Sequence, residues 1–519
     1  MNINFSIKSF LVIFYLLCSS LEGSGQDGVR FYDEHVMDGY TLYYSGNRAV
    51  LIDNCGHLIH EWSEVSARFH PKLLENGNIV YIENFSNRII EKNWDDNIVN
   101  EINIISNDIS PDYEVIVMES GNYLCVGRRE FSQSEFNNLG YDFGFNGLGT
   151  PTQVDVVMEV DRNSGNIVWL WDISDHVIQE RDPSAANYGN VSEHPELLNM
   201  DAIGTFDWTF QESFMINGFD YNEELDQIAL SVRKMSEIVI IDHSTTTAEA
   251  AGHTGGNSGK GGDILYRWGN PQNYGRGNAS DRRLWFQHNP NWIKYGKHVG
   301  KLIAYNNGLS SPFSSSAPII DTPVDAAGNY ILNEGQAFTP SSPTVEYGRA
   351  IGENFYSGYT SAAKVLANGN ILITVGGDDR TFEMSPDGTL VWEYGLFNSP
   401  LTFRVEKYPS NYPAFEGRDL VAGDVLEFPP SPIPCSTVGV NDQYFNKTNI
   451  WVNDGILSLQ TNINNKLDLE IYSTDGRLLM VAPIQDGGQI NINNFATGSY
   501  LAKLFDSGRS AFRTYKLIK

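Results

Sequence analysis

A short phrase recurs along the chain and constrains its fold more than any other feature. Each copy consists of an apolar run, a Gly-Asn pair and a second apolar run, and the copies occupy residues 73–80, 117–124, 324–331 and 365–372. A Gly-Asn pair between two such runs is typical of a β-hairpin, because glycine readily adopts the backbone conformation of a tight turn. A single hairpin cannot bury its apolar faces alone, so the copies are expected to pack against one another.

A second phrase accompanies some copies of the first. It consists of an apolar strand, a turn rich in Asp, Asn and Gly, and a strand that ends in aromatic residues; it occupies residues 157–171, 381–394 and, in a stretched form, 238–242 with 265–268. Short strands and hairpin turns in a repeat of tens of residues predict an all-β fold, a β-propeller of about six blades. Long insertions interrupt the repeat at residues 130–150, 174–206 and 244–286.

The two ends of the chain differ from this body. The first residues carry a basic Lys8, an apolar run at 10–17 and small residues behind it. This order is typical of a cleaved signal peptide, because the run is too short to span a bilayer. The predicted divisions are a signal peptide, 1–26; a propeller, 27–428; a Pro-rich linker, 429–444; and a small C-terminal β-sandwich, 445–519.

Three cysteines remain after the predicted signal peptide, namely Cys55, Cys125 and Cys435. In an oxidising compartment this odd number allows at most one internal disulfide and leaves one spare thiol. The pairing is open at this point.

Charge and motifs exclude several classes of function. The net charge of −29 opposes a nucleic-acid partner, which would be repelled. No later stretch is long and apolar enough to predict a transmembrane segment. The segment 255–262 resembles a phosphate-binding loop, but Gly261 follows Lys260 where that loop needs Ser or Thr. The chain has no HExxH, EF-hand or CxxC motif, so the sequence implies no metal and no cofactor.

The last ~75 residues resemble the C-terminal sorting domain of type IX secretion in Bacteroidetes. The resemblance rests on 471–477, on 495–501 and on the basic end 515–519. It implies Sec export through the periplasm, recognition of 445–519 by the type IX secretion machinery, and a final location in the medium or on the outer cell surface.

The body resembles the aryl-sulfate sulfotransferases, a family of exported six-bladed propellers. The most specific stretches are 220–228, 241–246, 259–271, 286–289 and 305–308. The resemblance implies transfer of a sulfuryl group from a phenolic sulfate to a phenol. A histidine carries the group covalently, and no nucleotide donor is used.

Carried onto this chain, the resemblance implies a set of site residues. His288 is the candidate catalytic residue, with Tyr359 as a weaker one. The candidate substrate-binding residues are Asn217, Arg233, Asn307 and Arg404. The residue types suit the chemistry, because a neutral imidazole is a nucleophile and the sulfuryl oxygens attract cations and amides.

The chain also departs from the family pattern. Met215 stands where a histidine is expected, Tyr113 and Glu114 replace an early His-Asp pair, and an expected arginine aligns with Ser310 or Ser311. These departures keep a second interpretation open, a catalytically inactive secreted propeller that acts as a binding or adhesion module. A third, a hydrolase of glycans or polyphenols, would need paired carboxylates in the channel, for which Glu114 and Asp220 are the candidates.

Overall fold

The computed structural model describes residues 27–519 with gaps. The residues outside the description are 1–26, 141–151, 203–212, 309–313, 350, 397–401, 428–447, 454, 462, 464–465, 474–476 and 507–510. The predicted signal peptide, the predicted linker, Ser310 and Ser311 therefore lie outside the described residues.

Short strands make up most of the body. In chain order they are β1 (Gly28–Tyr32), β2 (Gly39–Ser45), β3 (Arg48–Ile52), β4 (Leu58–Trp62), β5 (Lys72–Leu73), β6 (Ile79–Ile82), β7 (Arg88–Lys92), β8 (Ile98–Asn103), β9 (Ile109–Val117), β10 (Tyr123–Glu130), β11 (Gln153–Val160), β12 (Ile167–Asp172), β13 (Val177–Ile178), β14 (Leu198–Asn199), β15 (Ile216–Asn222), β16 (Gln227–Val232), β17 (Glu237–Asp242), β18 (Tyr266–Trp268), β19 (His288–Trp292), β20 (Leu302–Tyr305), β21 (Ala317–Ile320), β22 (Val345–Tyr347), β23 (Ala362–Val365), β24 (Ile371–Val375), β25 (Arg380–Met384), β26 (Leu390–Gly395) and β27 (Glu406–Pro409).

Helices are few and short in the described residues. The α-helices are α1 (Gln133–Asn138) and α2 (Thr247–Ala250), and each begins with a capping box. The 3-10 turns are Ile173–His176, Val191–Glu193, Met200–Ala202, Arg233–Met235, Pro271–Tyr274, Ala279–Asp281, Gly296–His298 and Pro413–Phe415. Among the described residues, no helix has the length and apolarity needed to cross a membrane.

The body strands form six antiparallel sheets, the blades of a propeller. Blade 1 has the order β27-β2-β3-β4, blade 2 β5-β6-β7-β8, blade 3 β9-β10-β11-β12, blade 4 β15-β16-β17-β18, and blade 5 β19-β20-β21-β22. Blade 6 has the order β23-β24-β25-β26-β1. β13 and β14 form a separate parallel pair. The predicted all-β class and the blade count of about six are confirmed.

Both ends of the body close the ring. β27, the last strand of the body, pairs with β2 and becomes the innermost strand of blade 1. β1, the first strand, pairs with β26 on the outer edge of blade 6. Because each end of the body completes a blade from the opposite end, the circle is held by backbone hydrogen bonds at two places.

The repeated phrases correspond to definite parts of a blade. Three copies of the first phrase form an innermost strand, a turn and the second strand, as in β23 and β24, where Gly369 turns at φ +88°. The second phrase forms the third and fourth strands, as in β25 and β26. The copy at 324–331 is different: it makes its turn, but only an isolated bridge joins Val324 and Tyr330. Residues 324–329 are exposed, whereas Tyr330 packs on the core with its ring centroid 5.2 Å from that of Tyr266, so the two runs are not buried together as a pair of strands.

Aromatic residues of the fourth strands join neighbouring blades. Trp62, Trp171 and Trp392 are fully buried. Their indole N–H groups donate to the carbonyls of Asn93, Gly262 and Asn54 respectively, at 2.7–2.8 Å. Each of these carbonyls belongs to the next blade, so the aromatic ends of the second phrase hold adjacent blades together.

The C-terminal residues form a separate β-sandwich. Its strands are β28 (Asn449–Asn453), β29 (Ile456–Gln460), β30 (Leu467–Ser473), β31 (Leu478–Ile484), β32 (Gln489–Asn491), β33 (Ser499–Asp506) and β34 (Ala511–Ile518). One sheet has the order β28-β29-β32 and the other β31-β30-β33-β34. Alternate residues of β30, Leu467, Leu469 and Ile471, are buried in a core that this unit forms by itself.

Two of the cysteines are described. Cys55 is disulfide-bonded. Cys125 is a free, buried thiol, and burial raises its pKa. The spare thiol that the odd count required is therefore Cys125.

Candidate functional site

One end of the propeller channel is built from residues at or just before the starts of five innermost strands and from the middle of the sixth, β9. The residues there are Phe403 before β27, Phe69 and His70 before β5, Tyr113 and Glu114 in β9, Met215 and Asn217 at β15, His288 at β19, and Tyr359 before β23. Rings from three other blades contact Phe403, whose centroid lies 5.0 Å from that of Phe69, 5.9 Å from Tyr113 and 5.7 Å from His288. The starts of the inner strands therefore converge on the axis.

Backbone strain accumulates at this end. Of the twelve non-glycine residues with positive φ in the described chain, six belong to these strand starts: Tyr113, Met215, Phe286, Asn289, Thr360 and Ser361. Such conformations cost about 1–3 kcal/mol each and persist where the surrounding structure fixes them, commonly at functional sites. Asp155 fixes one of them, because its carboxylate accepts hydrogen bonds from the backbone N–H groups of Met215 and Ile216.

His288 is buried, and its ring orientation is determined by Asn307. The amide nitrogen of Asn307 donates to the carbonyls of Ser357 and Thr360, at 2.8 and 3.1 Å. This leaves Asn307 Oδ1 as the atom 2.6 Å from His288 Nδ1. A carbonyl oxygen can only accept, so His288 donates from Nδ1–H, and in the neutral ring Nε2 carries the lone pair.

The surroundings keep His288 neutral. Burial is the largest cause and the positive charge of Arg233 the next, and together they lower the pKa of His288 to about 3. The oxygen atoms of Asn307 and of the Phe286 carbonyl, which favour the charged ring, oppose this shift but are outweighed. At neutral pH the imidazole is thus uncharged and available as a nucleophile.

Arg233 is the residue whose positive charge acts on His288. It begins the 3-10 turn after β16 and is largely buried. Its guanidinium lies over the Phe286 ring, 4.9 Å from the centroid, and its Nη1 is 3.6 Å from Met215 Sδ. Met215 is the residue that stands where the family resemblance implied a histidine.

Several buried polar atoms near His288 have no hydrogen-bond partner among the described residues. They are Asn217 Oδ1, Gln287 Oε1, Asn289 Nδ2 and His70 Nδ1. Nδ2 of Asn217 donates to the Gln287 carbonyl at 2.9 Å. This hydrogen bond places the Asn217 side chain beside Gln287, the residue that precedes His288. Unsatisfied buried polar atoms are uncommon in native proteins, and their grouping is typical of a site that a ligand or water completes.

Arg404 lies deeper in the channel than His288. Its guanidinium forms an ion pair with Glu114, and its Nε donates to His70 Nε2 at 2.7 Å. Lys72 also pairs with Glu114, at 2.8 Å. Burial alone would raise the pKa of Glu114, but Arg404 and Lys72 outweigh it and lower that pKa. Arg404 is therefore engaged with a carboxylate.

His70 was not among the residues predicted from the sequence. Burial, Arg404 and Lys72 hold its pKa well below the ordinary value, so it is a second neutral imidazole. Its ring is parallel to that of Phe403, with centroids 6.1 Å apart. Its place three residues before Leu73, at the start of a repeat phrase, is the signal that could have revealed it.

A cavity of about 650 Å³ opens at the other end of the inner strands. Its lining includes Lys72, Asp220, Lys294, Lys364 and Glu406. Lys364 and Arg404 bring the pKa of Glu406 down to about 2 against the effect of burial, whereas burial raises the pKa of Asp220. The carboxylates at this end therefore face several cations.

Tyr359 lies at the edge of the site. Its side chain is 48% exposed, and its carbonyl accepts hydrogen bonds from Ser357 Oγ and Thr360 Oγ1. These two neighbours are the residues whose carbonyls hold Asn307. Of the predicted residues, the structure thus groups His288, Asn307, Asn217 and Arg233 around one imidazole, while Tyr359 lies beside them and Arg404 below them.

Comparison with known proteins identifies a family whose model matches most of the chain. The family model described as Arylsulfotransferase (ASST) matches residues 33–392. No protein with a curated description matches the chain in sequence.

Solved structures with a similar arrangement of strands are distant in sequence. A protein of unknown function from Bacteroides caccae is 9% identical over 69% of this chain and 93% of its own, with a TM-score of 0.36. Virginiamycin B lyase from Staphylococcus aureus is 10% identical over 83% of this chain and 89% of its own, with a TM-score of 0.28. At this level of similarity neither protein bears on the substrate or the mechanism.

Proposed function

The chain belongs to the arylsulfotransferase family, and from that premise we propose that it transfers a sulfuryl group from a phenolic sulfate to a phenol through His288, without a nucleotide donor. The observation that carries the proposal is the state of His288, a buried neutral imidazole whose Nδ1–H is held by Asn307. The lone pair on Nε2 is then fixed in direction and free of a proton, which is what a nucleophile requires.

The proposed reaction has two half-reactions. In the first, Nε2 of His288 attacks the sulfur of the donor, the N–S bond forms, and the bond between sulfur and the phenolic oxygen breaks with its electron pair leaving on the phenolate. In the second, the acceptor phenol gives its proton to solvent water and its oxygen attacks the same sulfur, which breaks the N–S bond, returns the electron pair to Nε2 and restores the neutral ring. Nothing is oxidised or reduced, and the kinetics are ping-pong.

Three side chains support the transferred group in this proposal. The Arg233 guanidinium, whose charge already acts on His288, stabilises the negative sulfuryl oxygens. Asn289 Nδ2 is a buried donor with no partner among the described residues, and it adds a hydrogen bond to the same oxygens. Asn217 Oδ1 is a buried acceptor, which suits the hydroxyl of the incoming phenol.

The weak point of the site is the proton for the departing phenolate. Met215 replaces one imidazole that the family pattern provides. We propose that His70, a neutral imidazole, donates a hydrogen bond from Nδ1–H to the departing oxygen without giving up its proton, because this N–H has no partner among the described residues. Its ring packs on the same Phe403 as that of His288. Donors whose phenol is acidic, such as 4-nitrophenyl sulfate, should therefore react much faster than phenyl sulfate, since they need less protonation on leaving.

The test is transfer from 4-nitrophenyl sulfate to phenol, followed by nitrophenolate absorbance. The wild type should release nitrophenolate in proportion to enzyme, and His288→Ala should fall to the uncatalysed background. His194→Ala is the matched control, because His194 is an exposed histidine paired with Glu196 at 2.8 Å and should leave the rate unchanged. A wild type no faster than His288→Ala would contradict the proposal.

That result would favour the second candidate, a catalytically inactive secreted propeller that binds. In that case a phenolic sulfate should still bind, measured by calorimetry, and Arg233→Met should weaken the binding. The unsatisfied polar atoms beside His288 support a ligand under either function.

We further propose that the protein is exported and delivered by the type IX secretion machinery, to be released or held on the outer surface. The support is the signal-like start at 1–26 and the sorting-domain resemblance of 445–519, whose described residues form their own β-sandwich. In a Bacteroidetes host, the full chain should reach the medium or the cell surface, and a chain that lacks 445–519 should stay in the periplasm. Equal export of both would contradict this part of the proposal.

A further inference from the structure

Away from the channel, two of the long insertions meet at a group of three ligating side chains. His176 ends the 3-10 turn Ile173–His176, and His253 and Asp263 lie in the segment that follows α2. The ligand atoms of these three residues all lie within 4.8 Å of one another. We propose that they bind a divalent transition-metal ion of the zinc class, which fastens the insertion 174–206 to the insertion 244–286.

The hydrogen bonds of His176 point its lone pair at the centre of the group. Its Nε2 donates to the Ala250 carbonyl at 2.7 Å, because a carbonyl can only accept. In the neutral ring, Nδ1 then carries the lone pair, and it faces Asp263 Oδ1 at 3.1 Å. A lone pair and a carboxylate oxygen at this distance repel each other unless they share a cation.

A metal ion explains this arrangement. A histidine ligand usually donates its other ring N–H to a carbonyl or carboxylate, which fixes the tautomer, and the Ala250 carbonyl does this for His176. Around a tetrahedral ion with bonds of about 2.0–2.1 Å, ligand atoms lie about 3.3 Å apart. The 3.1 Å between His176 and Asp263 is close to that value.

His253 supplies the third ligand from the surface side. Its Nδ1 lies 2.7 Å from the same Asp263 oxygen, and its ring is nearly perpendicular to that of His176. Its side chain is 61% exposed, so solvent can reach the fourth position as a water ligand. Two imidazoles and one carboxylate suit zinc and its neighbours, whereas calcium and magnesium prefer oxygen ligands alone.

The surroundings hold the buried ligand rigidly. The Trp171 ring is parallel to that of His176, with centroids 5.4 Å apart, and its Nε1 donates to the Gly262 carbonyl. A side chain at position 262 would collide with the Ala250 carbonyl and with His176 Nε2, so only glycine fits there. The site is therefore already shaped before an ion arrives.

A second group of possible ligands, Asp53, Cys55 and His57, does not compete. Cys55 is disulfide-bonded and offers no thiolate.

The test uses the untagged full chain after removal of metal with EDTA. Titration with Co²⁺ should give the visible absorption of a low-symmetry cobalt site that saturates at one equivalent, and Zn²⁺ should displace the cobalt and raise the thermal midpoint of unfolding. Asp263→Asn preserves the shape of the side chain, and His253→Ala changes an exposed residue. Each should weaken cobalt binding by about 100-fold or more without loss of the β-sheet circular dichroism signal.

His194→Ala is the matched control, since His194 also pairs with a carboxylate but belongs to neither group of three ligating side chains found in the described residues. It should bind cobalt as the wild type does. Absence of stoichiometric binding by the wild type, or equal binding by Asp263→Asn, would overturn the proposal and leave a protonated His176 in an ion pair with Asp263. Equal loss in His194→Ala would overturn it as well.

Discussion

The protonation of His288 determines how the rate of sulfuryl transfer should depend on pH. Burial and Arg233 lower the pKa of this imidazole to about 3. At pH 5, a histidine with the ordinary pKa of about 6.5 would be neutral in only about 3% of molecules, whereas His288 would be neutral in nearly all of them. The wild-type kcat/KM should therefore change less than about twofold between pH 7.5 and 5, where an ordinary histidine would lose about 30-fold.

The substitution Asn307→Asp tests whether the neutral state of His288 causes the weak dependence of the rate on pH. It places a carboxylate beside Nδ1, and an opposite charge at hydrogen-bond distance raises a histidine pKa by about 1–3 units. The imidazolium is then favoured, so activity is lost as the pH falls through the new pKa of about 4–6. At pH 5 the variant should be slower than at pH 7.5 by up to about tenfold. The substitution also removes the hydrogen bonds that the Asn307 amide donates to the Ser357 and Thr360 carbonyls. Because each protein is compared with itself at the two pH values, any loss of rate from these missing hydrogen bonds cancels.

The assay is the initial rate with 4-nitrophenyl sulfate and saturating phenol, quenched into alkali so that all nitrophenol is read as phenolate. Glu114 and Glu406 should stay ionised across this range, because their pKa values are lowered. The reasoning is refuted if the wild type loses tenfold or more between pH 7.5 and 5 with its circular dichroism unchanged. An Asn307→Asp profile identical to that of the wild type would refute the assigned role of Asn307.

Three further predictions concern stability and reactivity. Lys407→Met leaves the fully buried Glu383 without its cation, which lies at 2.6 Å, and should lower the free energy of unfolding by about 3–5 kcal/mol in chemical denaturation; no loss would show that the pair does not hold β27 against blade 6. Trp392→Phe removes the donor to the Asn54 carbonyl and should cost about 1–3 kcal/mol in the same measurement, and a cost near zero would contradict its role between blades. Cys125 should not react with a thiol reagent until the protein unfolds, because burial raises its pKa, whereas rapid native labelling would contradict that burial.

The hairpin pattern of the sequence predicted the blades well, because each Gly-Asn turn is a local signal. The pairing of β27 with β2 and of β1 with β26 could not be predicted in the same way, since it joins segments from opposite ends of the body. The phrase at 324–331 shows the limit of the pattern. Its turn formed, but residues 324–329 stay exposed and its two runs are joined by one isolated bridge and do not form a pair of strands.

The candidate site was predictable in part. Family resemblance led to His288, but the residue that fixes its tautomer, Asn307, is held by carbonyls that lie 50 and 53 positions away in the chain. In sequence, Arg404 and Arg233 are equivalent candidates for a cation that binds the substrate. Only the structure pairs Arg404 with Glu114, because the register between blades 1 and 3 is set by tertiary packing.

The layering of the channel constrains the proposed reaction. Phe403 touches the His288 ring, and the next residue, Arg404, lines the cavity at the opposite end. Both side chains are buried, and with Glu114 they lie between the imidazole and that cavity. A donor that reaches His288 must therefore leave as phenolate by the route through which it came, and the acceptor must wait until that route is free. This is the order of events in a ping-pong reaction, so the desulfated phenol should inhibit competitively against the acceptor.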